Sequence, residues 1–318
     1  MTLKEFLDSW NNDLPTIKVF TSGSTGKPKP LLVEKRRMVN SAKMTCRFLD
    51  LHEGDTALLC MPLDYIAGKM MVVRAIVGNM HLLSVAPSGH PLQSISTHQR
   101  IDLGAMVPLQ VYNSLMVGSE CEKMKSIRHL IIGGGALDEK IEAQLKAFPN
   151  NVWCSYGMTE TLSHVAMRKI NGPDASSWYE PLDNVHVGQN EDGCLVVSAP
   201  DLCDGDVVTH DVVEMNPDGR RFKVKGRIDN VIDCGGVKML AEEVEQLLTP
   251  HLVVPFYIAR QSDEKFGEIP VLVIEKGQPN IEEIFKECLP KYWRPKRVVV
   301  VDNLPLTENG KPRRNVIP

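Results

Sequence analysis

Thr21, Ser22, Gly23, Ser24, Thr25, Gly26, Lys27, Pro28 and Lys29 gather, in one short stretch, what a polyphosphate needs from a protein. Gly23 and Gly26 permit positive φ, which turns backbone N–H groups toward an anion. Thr21, Ser22, Ser24 and Thr25 add hydroxyl donors, and Lys27 and Lys29 add positive charge. Gly/Ser/Thr clusters between periodic segments are often plain loops, but plain loops rarely combine this donor density with two lysines. A Walker-type loop requires Gly, four residues, then Gly-Lys-Ser/Thr. Thr21 stands where its first glycine belongs, and Pro28 where its magnesium-binding hydroxyl belongs. The stretch is a phosphate-binding device of another kind.

Such a loop must be held by regular elements. An apolar run (Ile17, Val19, Phe20) reads as a strand leading into it, and a helix-like stretch is expected to follow. From 17 to about 156, strand patterns at 56–60, 80–84, 103–107, 130–132 and 152–154 alternate with helix patterns at 34–49, 66–77, 109–116 and 138–148. This alternation predicts an α/β layered αβα body with ligands at strand ends. From about 185 to 224, short strands split by turns predict a small antiparallel β subdomain. Beyond Asp229, helices at 241–248 and 281–289 with strands at 253–259, 270–274 and 297–301 predict a small α+β C-terminal domain. The expected division is 1–228 and 229–318, joined by a tight hinge.

Bulk properties narrow the function classes. The 318 residues suffice for one large or two ordinary domains, and a net charge of −4 gives no electrostatic case for nucleic acid or an anionic membrane. No apolar run approaches the roughly 20 residues of a membrane span. Leu3, Phe6, Leu7 and Trp10 have helical spacing among Lys4, Glu5 and Asp8, which reads as an amphipathic docking helix and not a secretion signal. Cys46, Cys60, Cys121, Cys154, Cys194, Cys203, Cys234 and Cys288 include no close pair with metal spacing. A reducing, cytoplasmic setting without disulfides is expected. The scattered histidines argue against a zinc site.

Four further segments carry chemistry, and their order matters. Tyr156-Gly157-Met158-Thr159-Glu160 follows a strand end. Asp211 is expected just after a strand at 207–209. Gly226-Arg227-Ile228-Asp229 opens the hinge, with Gly235-Gly236 beyond it. Pro305-Leu306-Thr307-Glu308-Asn309-Gly310-Lys311 lies near the C-terminus. Alone, Lys311 reads as a solvated lysine, Glu160 as a helix-start carboxylate, and Asp211 with Arg227 as a surface pair. Together with the 21–29 loop, the ordered series resembles the adenylate-forming superfamily of acyl- and aryl-CoA synthetases, luciferases and peptide-synthetase adenylation domains. The resemblance runs from about residue 17 to the end.

That resemblance implies roles. The 21–29 loop would hold the β- and γ-phosphates of ATP, Glu160 would bind Mg2+, and Thr159 would donate to the phosphates. Tyr156, followed by Gly157, would stack on adenine, with Gly134, Gly135 and Ala136 along the other side of the base. Asp211 and Arg227 would hold the ribose hydroxyls, and Lys311 would meet the α-phosphate and the reacting carboxylate. The chemistry implied is acyl-adenylate formation with loss of pyrophosphate, then attack by coenzyme A to give a thioester and AMP. Asp229 matches the pivot of a mobile lid, and Gly235-Gly236 the loop lining the CoA tunnel. The chain departs from the pattern in two places: twenty residues, not well over a hundred, precede the phosphate loop, and His210 replaces the glycine before Asp211. A missing N-terminal subdomain, or a sheet completed by a second subunit, is expected, and with it a homo-oligomer.

The acid is suggested by 62–74. Leu63, Ile66, Met70, Val73 and Val77 make an almost continuously apolar helix, interrupted by Arg74. A buried guanidinium cannot be neutralised and needs an anion. An aspartate or glutamate of the protein would serve, and so would a second carboxylate on the substrate. Arg74, with Thr159, Glu160, Thr161, Ser163 and His164, is similar to the o-succinylbenzoate–CoA ligases of menaquinone biosynthesis. The resemblance implies an aromatic diacid bordered by Tyr65, Val107, Pro108, Ser163 and His164. Other readings are an aryl- or fatty-acid ligase, an enzyme loading a carrier protein, and an inactive nucleotide-binding module.

Overall fold

The computed structural model describes residues 1–20, 30–306, 312–314 and 316–318. The 21–29 loop and Lys311 therefore lie outside the described residues. In chain order the first elements are α1 (Leu3–Asn11), β1 (Thr16–Phe20), β2 (Pro30–Glu34), α2 (Lys35–Phe48), β3 (Thr56–Leu59), α3 (Ile66–Val77), β4 (His81–Ser84) and β5 (Leu103–Met106). Next come α4 (Pro108–Met116), α5 (Gly118–Ser126), β6 (His129–Ile132), α6 (Glu139–Leu145), β7 (Asn151–Gly157), β8 (His164–Lys169) and β9 (Glu180–Pro181). Strands β10 (His186–Gln189), β11 (Cys194–Ser198), β12 (Asp206–Met215) and β13 (Phe222–Arg227) form a four-stranded sheet in that order. The chain ends with β14 (Val231–Cys234), β15 (Val237–Leu240), α7 (Ala241–Leu248), β16 (Phe256–Asp263), β17 (Gly267–Glu275), α8 (Ile281–Cys288) and β18 (Arg297–Val301). The fold is α/β, with a layered body, a small antiparallel sheet and a small α+β region, as the alternation of patterns requires.

Two compact units result. One comprises Met1–Gly188, Val196–Val207 and Met215–Phe222; the other comprises Gln189–Leu195, Val208–Glu214 and Lys223–Pro318. The first unit is built on a seven-stranded sheet of order β4-β3-β5-β6-β7-β8-β9. Strands β4, β3, β5, β6 and β7 run parallel, and β8 and β9 return antiparallel. Central strands β5 and β6 are buried along their whole length, as parallel strands covered on both faces must be.

Two expectations are corrected here. The 21–29 segment is followed not directly by a helix but by β2, which pairs with β1 from Phe20↔Pro30 to Thr16↔Glu34. Pro30 lacks an N–H to donate, and a strand of a two-stranded ribbon tolerates this. Asp211 does not follow a strand but lies within β12, which continues from Asp206 to Met215. An element without an expectation is α5, whose sequence Gly-Ser-Glu-Cys-Glu-Lys-Met-Lys-Ser shows little apolar repeat and is held by buried Met124 and Glu120.

The amino ends of the parallel strands are tied by charge. Asp102, before β5, accepts from the Thr56 N–H (3.0 Å) and from Arg100 Nε (2.9 Å) and Nη2 (2.7 Å). Asp55, before β3, accepts from Arg128 Nη1 (3.3 Å), before β6. Burial alone would raise the Asp102 pKa. The Arg100 and Thr56 hydrogen bonds and the Arg100 and Arg128 charges more than reverse that, so its carboxyl titrates below the usual range. A depressed folded pKa stabilises the protein above the unfolded value of about 3.9. That contribution is lost as pH falls through the folded pKa. Asp102→Asn is expected to cost roughly 1–3 kcal/mol at pH 7. In urea unfolding, the gap from wild type should close as the pH is lowered below 4.

Within the second unit, β16 and β17 pair over eight residues, β18 joins β17 in parallel, and β14 meets β17 at Cys234↔Gly267. Val271, Leu272, Val273 and Ile274 of β17 pack with Val244 and Leu248 of α7 and with Tyr257 and Ile258.

Candidate active site

The carboxyl ends of β5, β6 and β7 bring together most of the candidates in the first unit, as expected where helices cross above parallel strands. Val107 and Pro108 leave β5 and start α4. Gly134 follows β6 with φ +84°, and a Cβ there would lie 3.5 Å from the Val107 side chain; one at Gly135 would lie 3.8 Å from Pro108. The segment assigned to adenine thus adjoins the one assigned to the acid. Tyr156, near the end of β7, meets Phe222 edge-on at 5.1 Å and Tyr179 at 5.9 Å, while those two rings stack on each other at 5.4 Å. This bracing sets the plane of Tyr156.

The turn from β7 to β8 is tightly built. Gly157 pairs with His164 across a bulge, and Leu162 takes left-handed φ, +67°. Thr161 Oγ1 accepts from the Met158 N–H (3.3 Å) and donates to the Ser163 carbonyl (2.9 Å). One short turn therefore presents Thr159 and Glu160 on its first half and Ser163 and His164 on its second. Thr159 is buried and Glu160 exposed. A single exposed carboxylate fits Mg2+ that arrives with phosphates, because that ion usually keeps waters and takes only one or two protein carboxylates. Among the described residues no group of three acid, His or Cys side chains could hold a resident metal.

Arg74 lies in α3, eight of whose residues from Gly68 to Ala75 are buried. Its guanidinium, 2% exposed, donates from Nε to Thr45 Oγ1 (3.2 Å) and from Nη2 to Ser163 Oγ (2.7 Å). Among the described residues it forms no salt bridge with a carboxylate. Burial lowers its pKa to about 10, so it stays charged at neutral pH. His164 touches the same Thr45 hydroxyl through Nε2 (2.8 Å). Burial, then the Arg74 charge, pushes the His164 pKa well below its ordinary value, and the imidazole is neutral. Thr45 had no place among the expected site residues. Its signal was the inner face of α2, where Ser41 and Thr45 interrupt Met38 and Ala42. Ser41 Oγ is buried with no hydrogen-bond partner among the described residues.

Tyr65 caps the start of α3, half exposed, and forms an isolated parallel bridge with Phe20. Phe20, the last described residue before 21–29, therefore sits at the head of the helix that carries Arg74. Lys69, one turn on, is buried and donates to the carbonyls of Leu63 (2.5 Å) and Asp64 (3.2 Å), which holds that entry segment.

In the second unit, Asp211 lies 3.5 Å from Arg227 Nη1, and Arg227 donates from Nη2 to Asp229 (2.8 Å). His210 Nδ1 is 3.0 Å from Asp229, so the residue standing where a glycine was expected is tied to the one expected to be a pivot. Hydrogen bonding from Arg227, and then from His210, lowers the Asp229 pKa against burial. Gly235 and Gly236 both have positive φ, +63° and +84°, and close the two-residue hairpin between β14 and β15. On either side of 307–311, Leu306 bridges Pro312, and Arg313 N–H donates to the Pro305 carbonyl (2.9 Å). Arg314 then clasps Glu245 and donates to the Ile258 carbonyl (2.8 Å).

The family model of AMP-binding enzymes matches residues 7–192, and that of the AMP-binding enzyme C-terminal domain matches 243–311. The 2-succinylbenzoate–CoA ligases of Salmonella typhimurium and Bacillus cytotoxicus are 25% and 28% identical, covering 91% and 92% of this chain. The chain spans only 65% of the Salmonella protein and 67% of the Bacillus one. An acyl-CoA synthetase (AMP-forming)/AMP-acid ligase II-like protein from Dyadobacter fermentans is 33% identical with a TM-score of 0.68, over 98% of this chain and 91% of that one. The o-succinylbenzoate CoA synthetase of Bacillus subtilis, solved with ATP and magnesium, shares the fold at 23% identity, with a TM-score of 0.79 over 94% of this chain and 68% of that one. Among the described residues, no helix is long and apolar enough to cross a membrane.

A Cβ on Gly157 would lie 2.2 Å from the Ser163 carbonyl oxygen and 2.4 Å from His164 Cα, both backbone atoms. Gly157→Ala is expected to destabilise the protein by about 1–3 kcal/mol, which denaturant unfolding checks.

Proposed function

The chain belongs to the family of AMP-binding enzymes, and we propose from that premise that it is an AMP-forming acid–CoA ligase whose acid is o-succinylbenzoate. The observation that supports the acid is the buried Arg74 guanidinium, which two neutral hydroxyls hold and no carboxylate among the described residues balances. An aromatic diacid supplies the missing charge: one carboxylate meets Arg74 and the succinyl carboxylate reacts. The names of the Salmonella and Bacillus relatives point the same way.

In the reaction proposed, a carboxylate oxygen attacks the α-phosphorus of ATP and the bond to pyrophosphate breaks. The thiolate of coenzyme A then attacks the carbonyl carbon of the acyl-adenylate, and AMP leaves. Mg2+ held through Glu160 would neutralise phosphate charge. The 21–29 loop would bind the β- and γ-phosphates, with Thr159 donating beside them. Tyr156 would stack on adenine against Gly134, Gly135 and Ala136, and Asp211 and Arg227 would hold the ribose. Lys311 would stabilise the charge that accumulates as the acyl–phosphate bond forms. Residues 229–318 would act as the mobile lid, pivoting at Asp229 to present Gly235-Gly236 to the thiol.

A panel of carboxylic acids assayed for AMP release, with and without CoA, should single out the aromatic diacid, with thioester formed only when CoA is present. A fatty acid or plain benzoate performing best would overturn the assignment of the acid. Arg74→Ala should raise the KM for the diacid about 10- to 100-fold, as loss of a hydrogen bond to a charged group implies, and that for a monoacid far less. Asp229→Pro should leave ATP–pyrophosphate exchange largely intact while slowing thioester formation; equal losses in the two assays would count against the pivot.

A further inference from the structure

Thr45 Oγ1 is the meeting point of three groups from three elements. It lies 3.0 Å from the Ser41 carbonyl one turn back in α2, 3.2 Å from Arg74 Nε in α3, and 2.8 Å from His164 Nε2 at the start of β8. A hydroxyl has one proton and two lone pairs. Arg74 can only donate, so it occupies one lone pair. The Ser41 carbonyl can only accept, so it takes the proton. This is the back-bond that threonine commonly makes within a helix. The remaining lone pair faces His164 Nε2, which must therefore carry the proton of the neutral ring and leave Nδ1 as an acceptor. Thr45 itself is wholly buried, so water does not compete for any of these positions.

We propose that Thr45 is the positioning residue of the acid subsite: its hydroxyl fixes Arg74 through Nε and locks His164 as the uncharged Nε2–H tautomer, so that the subsite presents one positive charge and selects an acid with one carboxylate beyond the one that reacts. The proposal rests on the reading of Arg74 above and extends it to the pair of side chains behind it. Ser163, at Nη2, is the second hydroxyl orienting the guanidinium and comes from the turn that also carries Glu160. Orientation of the anchored carboxylate is thereby referred to α2, outside the segments that the family resemblance singles out.

Thr45→Val, Thr45→Ser and Arg74→Ala, made in the full chain, separate the two readings. The assay is ATP–pyrophosphate exchange with o-succinylbenzoate and with 3-benzoylpropionate, which lacks the aromatic carboxylate. Thr45→Val should raise the KM for the diacid about tenfold or more, the effect of losing one hydrogen bond to a charged group. Its kcat, its KM for ATP and its KM for the monoacid should be little changed, and Thr45→Ser should restore the diacid KM. If Arg74→Ala leaves the diacid preference intact, the reading of Arg74 fails. If Arg74→Ala abolishes it and Thr45→Val does not, or Thr45→Ser fails to rescue, only the present inference fails. A readout free of activity is the 15N spectrum of histidine-labelled protein at neutral pH. The His164 proton is expected on Nε2; a proton on Nδ1, or an imidazolium, would overturn the proposal even where a variant folds poorly.

Discussion

Arg74 takes a permanent charge into the interior, and no carboxylate among the described residues meets it. Removing such a group from water costs several kcal/mol even after relaxation, and hydrogen bonds to Thr45 and Ser163 return only part of that. The acid subsite proposed here is therefore built around a charge that no described carboxylate balances, and an affinity for an anion would follow from that imbalance. Burial first, and then repulsion by this neighbouring cation, keeps His164 beside it neutral.

The two ends of the parallel strands in the first unit are held in different ways. At the amino ends, buried Asp55 and Asp102 are met by Arg100 and Arg128, so charges there are paired and the strands are held in register. At the carboxyl ends, among the described residues, glycines, a left-handed Leu162 and hydroxyl-bearing turns take the place of salt bridges. A Cβ has no room at Gly157, which keeps the 156–164 turn close to β8 and holds the candidate site residues of that turn to one geometry. The second unit has its own compact device, in which His210, Asp211, Arg227 and Asp229 form one hydrogen-bonded cluster. Residues assigned to the ribose and to the pivot are thereby mechanically joined.

Legibility in the sequence followed the strength of local pattern. The helix Ile66–Val77 and the strand Arg297–Val301 were expected to the residue, because dense apolar runs between clear breakers leave few alternatives. Helix α5 escaped, since its charged repeat becomes helical only where Met124 and Glu120 find the body to pack against. The strand after residues 21–29 escaped because Pro30 and exposed Leu31 and Leu32 resemble no buried strand; pairing with β1 makes the segment a strand. The strand read at 253–259 begins only at Phe256 and runs to Asp263, its extension stabilised by the register with β17.

Residue type and order by themselves determined the α/β plan, the candidate nucleotide segments and the suspicion attached to Arg74, because each depends on neighbours a few positions away. Whether Arg74 meets an aspartate, a glutamate or only hydroxyls was decided in three dimensions. So was the place of Thr45, which lies 29 residues from Arg74 and 119 from His164 along the chain. Hydrogen bonding acts over about 3 Å of space and carries no imprint on sequence spacing, so partners drawn from α2, α3 and β8 become visible only when the helices and the sheet have packed.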